Sequence, residues 1–444
     1  MFSSVRKEFK RTLRLAMPIT VGLLGQSLFS VIDTVMIGKM AGEHALAAAT
    51  LANNINWAPL LFSMGLCVAI PVLTAQARGA RRDGDVPVIL RHGLLVGIGA
   101  SVLGAILVCA FVLAGGLFLL KQPESVAADA AIFSCIIAAS IPAAAGFQAV
   151  KSFRDATGGQ WISIVWIGVG LCANVFLNWA LMSGAFFFPN LGMEGAAVGT
   201  LLSRLISFFG IAFHGKLVCR FRDGFSAAGV RENLRISMPS ALHVLFESGL
   251  FIVSPFFMGW ISEASIAANQ VVMAVTTMIY MIPFGISQAL SIRVGEAFGQ
   301  KNIPRARAIF SGAAAFTLAL MGANAVALVC FREQIPLAFN VGPEASSVAA
   351  DIFVVAAAYM LFDAYQTISA GALRGLGDVK IIAVAAFVSY WIIGCPTALA
   401  LAFPLGLNGV GVWSGLATGL ATIAVILGFR VRKNLSRSRF RSEM

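Results

Sequence analysis

Residues 13–36 read LRLAMPITVGLLGQSLFSVIDTVM and residues 236–260 read ISMPSALHVLFESGLFIVSPFFMGW. Each is a mostly apolar run longer than the roughly 20 residues that a helix needs to cross about 30 Å of hydrocarbon. Each carries a Met-Pro pair near its start, Met17-Pro18 and Met238-Pro239, and an acidic residue within, Asp33 and Glu247. One such stretch implies a membrane helix. Two alike, half a chain apart, imply a duplicated membrane protein.

Similar stretches follow at 45–74, 92–118, 127–150, 160–183 and 193–215, then at 265–292, 308–330, 349–371, 381–403 and 407–430. With 59% hydrophobic and 12% charged residues among 444, and a mean hydropathy of +0.87, the composition excludes a soluble domain. The first stretch follows Arg6, Lys7, Lys10, Arg11 and Arg14 but lacks a small-residue cleavage site, so it reads as a retained helix, not a signal peptide. The fold class is therefore an all-α integral membrane protein with twelve transmembrane helices.

The repeat extends along the chain. Met17-Pro18 aligns with Met238-Pro239, Gly79 with Gly299, Phe153-Arg154 with Leu373-Arg374, and Gly192-Met-Glu-Gly195 with Gly406-Leu-Asn-Gly409. Six helices per repeat is an even number, so both halves enter the membrane from the same side. This predicts two six-helix lobes around a central cavity, 1–215 and 236–430. A linker at 216–235 joins them, and a basic tail covers 431–444.

The formal net charge of +12 does not point to nucleic acid, because the cations lie in short connections between apolar runs. With both termini cytoplasmic, 28 of the 32 basic residues fall on inner segments. Only Lys39, Lys121 and Arg332 fall on outer loops, and Arg204 lies within the sixth helix. That asymmetry predicts a bacterial inner-membrane protein with both ends inside. The longest basic connection contains Lys216, Arg220, Arg222, Arg231 and Arg235.

Catalytic signals are absent. The seven cysteines occur singly, without CxxC spacing, and His44, His92, His214 and His243 are not spaced as metal ligands. Gly210, Gly215 and Lys216 match the Walker A spacing. Leu217 stands where magnesium requires Ser or Thr, and the stretch ends a membrane helix, so the match is a coincidence. No GxSxG or HExxH occurs, and an enzyme is not expected.

Three carboxylates, Asp33, Glu247 and Asp363, fall within the apolar spans. There an ionised acid is costly unless it is hydrated, paired or protonated, and intramembrane acids are functional candidates by default. Such a group can exchange a proton, a sodium ion or an organic cation at one place, the simplest basis for antiport. Tyr359 precedes Asp363 by four residues and shares its helix face. Asn174 and Asn178 repeat that spacing on the fifth helix, suggesting a polar network with Asp33 and Thr200 as partners. Arg204 reads as structural, pairing with a carbonyl or an acid. Pro71, Pro142, Pro239, Pro255, Pro283 and Pro396 allow kinks.

Several motifs together resemble the multidrug and toxic compound extrusion (MATE) family in its NorM-like branch. In the first half they are Met17-Pro18, Val31-Ile-Asp33-Thr-Val-Met-Ile-Gly38, Thr74-Ala-Gln-Ala-Arg-Gly79 and Gly192-Met-Glu-Gly-Ala-Ala-Val-Gly-Thr200. In the second they are Phe246-Glu247-Ser248, Ala267-Ala-Asn-Gln270, Ser291-Ile-Arg-Val-Gly295, Phe362-Asp363 and Ala372-Leu-Arg-Gly-Leu-Gly-Asp378. The resemblance implies a two-lobed exporter that expels small organic cations against an inward sodium or proton gradient. It implies ion-linked roles for Asp33, Glu247 and Asp363, a Na⁺ at Glu247, Tyr359 and Asp363, and substrate-facing positions at Asn53 and Gln270. No cofactor beyond the coupling ion, no partner beyond the lipid bilayer and the cargo, and a monomer are expected.

Two departures leave the coupling ion open. Asn178 stands where some proton-coupled relatives carry Asp, and Phe339-Asn-Val-Gly342 lacks the acids some relatives have there. Two rival readings remain: a lipid-linked oligosaccharide flippase of related fold, which should carry a cationic cavity, and a non-transporting membrane receptor.

Overall fold

The computed structural model describes residues 2–119, 124–185, 188–214 and 226–436. Among them, twelve helices are long and apolar enough to cross a membrane. These are α1 (Val5–Met40), α2 (Gly42–Gly79), α3 (Asp83–Leu113), α4 (Glu124–Thr157), α5 (Gln160–Ser183) and α6 (Gly192–His214). The second set is α7 (Ala227–Gly259), α8 (Glu263–Gly299), α9 (Ile303–Cys330), α10 (Pro343–Gly375), α11 (Lys380–Ala402) and α12 (Asn408–Asn434). Residues 216–225 of the expected linker and 437–444 of the expected tail lie outside the described residues.

Each expected span has its helix, but most helices run further. An apolar window finds only the part that suits hydrocarbon. Lys, Arg and Glu propagate a helix well, so α1 begins ahead of residue 13 and α8 continues past 292. This corrects the placement of Lys151, Arg154, Arg293 and Arg374, expected in connecting loops. All four lie within helices, and Lys151, Arg293 and Arg374 are buried.

Two helices carry local breaks. In α2 the α-helical bonding stops at Leu66 and resumes at Ala69, because Pro71 has no N–H for the Cys67 carbonyl. In α11 the turns widen to a π-helix over Phe387–Gly394, just ahead of Pro396, which likewise offers no N–H to Ile392.

The chain packs as two compact units. One comprises Val21–Thr74 and Arg82–Ala241, the other Met1–Thr20, Ala75–Arg81 and Leu242–Met444. Within the first, Ala45, Ala48, Ala49 and Ala52 of α2 pack with Ala127, Ala130, Phe133 and Ala138 of α4. Lipid supplies no hydrophobic drive between helices, so small residues that let backbones approach do this work. Asn56 adds a polar tie, donating to the Ser134 hydroxyl at 2.9 Å.

In the second unit, Gly415 of α12 lies so close to α11 that a Cβ there would stand 2.3 Å from the Ala398 backbone. The repeat-related glycines Gly79 and Gly299 meet in a reciprocal crossing. A Cβ on Gly79 would stand 2.2 Å from the Glu296 carbonyl oxygen, and one on Gly299 would stand 2.2 Å from that of Gln76. Backbone cannot rotate away as a side chain can, so Gly299→Val is expected to lower the thermal midpoint by several degrees or abolish folded yield. Gly322→Val on α9, where nothing lies within 4 Å, should leave both unchanged. Equal thermal midpoints for the two variants would refute the packing argument.

Candidate functional site

In the first unit Asp33 is held by three side chains. Asn178 Nδ2 donates to its Oδ1 at 2.7 Å and Asn174 Nδ2 to the same oxygen at 3.1 Å. The Thr200 hydroxyl donates to Oδ2 at 2.9 Å. The expected network therefore forms. It forms because Asn174 and Asn178 share a face of α5, and because Gly199 admits that face: a Cβ there would stand 2.2 Å from Asn178 Oδ1. The Oδ1 atoms of Asn174 and Asn178 are buried without a hydrogen-bond partner.

Arg204, one turn beyond Thr200, donates from Nη1 to the Ser140 hydroxyl at 2.7 Å. It interacts with Asp33 electrostatically without forming an ion pair, so its direct partner is a hydroxyl, not the carbonyl or acid expected. A hydrogen bond to a charged group is worth about 1.5–3 kcal/mol. Asn178→Ala loses the 2.7 Å bond to Asp33, and Asn174→Ala loses both its 3.1 Å bond to Asp33 and a 3.2 Å bond to the Thr200 hydroxyl. Each should lower the thermal midpoint by a few degrees, and a midpoint unchanged in both would show that the network does not hold Asp33.

In the second unit Glu247 of α7 and Asp363 of α10 share one bridging amide. Gln366 Nε2 donates to Glu247 Oε1 at 2.7 Å and lies 3.4 Å from Asp363 Oδ1. The Thr367 hydroxyl lies 3.5 Å from the same Asp363 oxygen. Tyr390 reaches Glu247 Oε1 at 3.4 Å from the π-helix of α11, and Trp391 beside it donates to the Phe246 carbonyl at 3.2 Å. His243 Nδ1 lies 4.0 Å from Glu247 Oε2 and 3.3 Å from Arg374 Nη2. Asp363 is 7% exposed and Gln366 fully buried.

Two carboxylates and one guanidinium, Arg374, leave this cluster with one formal negative charge. The buried Gln366 Oε1 has no hydrogen-bond partner. The groups around Asp363 are oxygen donors, the Gln366 carbonyl and the Thr367 hydroxyl, and Glu247 adds its own carboxylate with the Tyr390 hydroxyl on one side and the His243 imidazole 4.0 Å away on the other. That chemistry suits a hard monovalent cation or a proton. Among the described residues no three His, Cys, Asp or Glu side chains gather as they would for a transition metal.

The structure differs from the expectation in detail. Tyr359 is buried with its ring against Phe251 and Trp413, and the side chains that reach Asp363 are Gln366 and Thr367. The phenol that touches a carboxylate is Tyr390. Asn53 and Gln270 are exposed and join neither cluster. Gln366 and Thr367, three and four residues past Asp363, were legible from helix spacing, as was His243 four before Glu247. Tyr390 was not, since its direction depends on the π-turns.

The structure thus defines a polytopic helical membrane protein with hydrogen-bonded intramembrane carboxylates in each repeat half: Asp33 in the first, Glu247 and Asp363 in the second. The chain belongs to the MatE family, whose model matches residues 18–180 and 239–400, one segment per repeat. It is 34% identical to a probable multidrug resistance protein NorM of Bradyrhizobium diazoefficiens, over 96% of this chain and 93% of that protein. It is also 34% identical to the multidrug resistance protein NorM of Burkholderia vietnamiensis, over 94% and 92% of the two chains. The fold is similar to the crystal structure of the eukaryotic MATE transporter AtDTX14, with a TM-score of 0.86, 22% identity and coverage of 98% of this chain and 100% of that one.

Proposed function

We propose that the protein couples multidrug efflux to the entry of a monovalent cation, proton or sodium, exchanged at the Glu247–Asp363 cluster. Efflux itself follows from membership of the family and from relatives named for multidrug resistance. The coupling reading rests on one observation above others: the buried Asp363 and the partly buried Glu247 share a single Gln366 amide, with one uncompensated negative charge and an unpartnered Gln366 oxygen beside them. A small cation would satisfy both. Such a site also favours positively charged cargo, so organic cations are the proposed substrates.

In this reading no covalent chemistry and no cofactor take part, and the protein acts as a monomer. It sits in a bacterial inner membrane with both termini in the cytoplasm. Asp33, with Asn174, Asn178 and Thr200, is a second place at which a proton can be taken up. Tyr359 supports the Glu247–Asp363 cluster by packing, while Asn53 and Gln270 meet the cargo.

The test is ethidium flux in proteoliposomes of purified protein, driven either by a sodium gradient at equal pH or by a pH gradient without sodium. Flux with sodium alone supports exchange at Glu247 and Asp363. Flux with protons alone moves coupling toward Asp33. No flux under either gradient overturns the exporter reading in favour of a flippase or a receptor.

A further inference from the structure

Glu247 and Arg374 carry opposite charges in one cluster, yet they do not touch. They interact electrostatically without forming an ion pair, and the His243 imidazole stands between them. Its Nδ1 lies 3.3 Å from Arg374 Nη2 and 4.0 Å from Glu247 Oε2. A guanidinium can only donate, so Nδ1 holds a lone pair at this contact and the ring is neutral. His243 and Arg374 are 2% and 3% exposed, and Arg374 Nε is buried with no hydrogen-bond partner. The guanidinium is therefore short of acceptors, with a carboxylate on the far side of the ring.

The two oxygens of that carboxylate differ. Oε1 accepts from Gln366 Nε2 at 2.7 Å and from the Tyr390 hydroxyl at 3.4 Å. Oε2 faces a nitrogen that has no proton to give, which leaves it as the oxygen a cation would use. Arginine meets carboxylates through a planar fork of donors, and a cation tethered beside an acid competes with any free one through its high local concentration. The repeat agrees with this division. At the offset set by the two Met-Pro pairs, Glu247 corresponds to Gln26 and His243 to Gly22, while Arg374 corresponds to Arg154. The half that lacks the acid keeps the arginine and carries no imidazole.

We propose that His243 is a positioning residue for cation exchange: its neutral ring holds Arg374 off Glu247 and keeps Oε2 open. Without the ring, the guanidinium closes onto that oxygen as a tethered cation and shuts the free cation out. The inference deepens the exchange reading and rests on it for what occupies Oε2. The spacing of the two charges is read by stability and needs no transport, so the two can fail separately.

The first arm of the test is a double-variant cycle in thermal unfolding. In the wild type, Glu247→Gln removes an acid that Arg374 does not touch; in the His243→Ala background it removes the partner of a closed ion pair. Glu247→Gln should therefore lower the midpoint by several degrees more in that background than alone, and an equal or smaller loss overturns the proposal. If His243→Ala is not recovered, His243→Ser takes its place under the same criterion. The second arm is ethidium flux in proteoliposomes under whichever gradient, sodium or pH, drives the wild type. His243→Ala should raise the half-saturating cation concentration at least about tenfold, with rate recovered at excess cation. His243→Asn, whose Oδ1 stands where Nδ1 did, should restore it. A wild-type half-saturation in His243→Ala, or a defect that His243→Asn does not rescue, overturns the role in exchange. A wild type that runs on neither gradient overturns the exchange reading and with it the role of the spacer, whatever the cycle gives.

Discussion

Asp363→Asn is expected to yield a folded protein that no longer exports against a gradient. The amide has nearly the volume of the carboxylate and keeps a carbonyl oxygen where the Gln366 amide and the Thr367 hydroxyl now reach. Shape and local hydrogen bonding should therefore survive. What disappears is one of the two charges that make the cluster net negative. At an effective dielectric constant of 20, a unit charge about 4 Å from a cation contributes roughly 4 kcal/mol. Even half of that lowers cation occupancy more than tenfold. Ethidium efflux in proteoliposomes should fall at least about tenfold on that arithmetic, with the thermal midpoint within a few degrees of wild type. Wild-type efflux from the folded variant would remove Asp363 from the exchange.

Arg293→Met should be the most destabilising single change at the end of the membrane where α1 begins. Arg293 is buried on α8 and pairs with the Glu8 carboxylate, while its Nη1 donates to the Glu8 carbonyl at 3.0 Å and lies 3.4 Å from the Thr12 hydroxyl. Removing one partner of a buried ion pair costs about 3–5 kcal/mol, because the other charge is left uncompensated. Arg305 and Arg11, each 3.6 Å from Glu8, blunt that loss, which places the expectation near 3 kcal/mol. Adding Glu8→Gln should restore part of the midpoint, since no unpaired charge then remains. A double variant less stable than Arg293→Met alone would show that the pair acts by packing and not by charge.

Parts of both clusters were legible before any coordinates. Asn174, Asn178 and Thr200 were expected around Asp33 because an i, i+4 amide pair inside an apolar helix has few other uses, and the bonds are there. Glu247 and Asp363 stood out because acids are rare in hydrocarbon. Tyr359 was assigned to Asp363 on its i, i+4 spacing and on the family resemblance, and its ring instead packs on Phe251 and Trp413. Gln366 shares that helix and took the role. Same-helix spacing says which side chains are neighbours, but not which of them turns toward a partner on another helix.

The number of spans, the duplication and the identity of the intramembrane acids were determined by the sequence alone. Each helix in lipid must satisfy its own backbone, so hydrophobic length is a local property that adds up along the chain. The tertiary structure alone decided how the buried charges are balanced. Lys151, Arg293 and Arg374 read as loop cations because a window of hydropathy counts every charge against the membrane. Only the meeting of α4 with the Gly22 face of α1, of α8 with Glu8, and of α10 with His243 of α7 shows that they are buried. A charge is stable there only through a partner that can be hundreds of residues away, and the rotation of two helices sets that pairing.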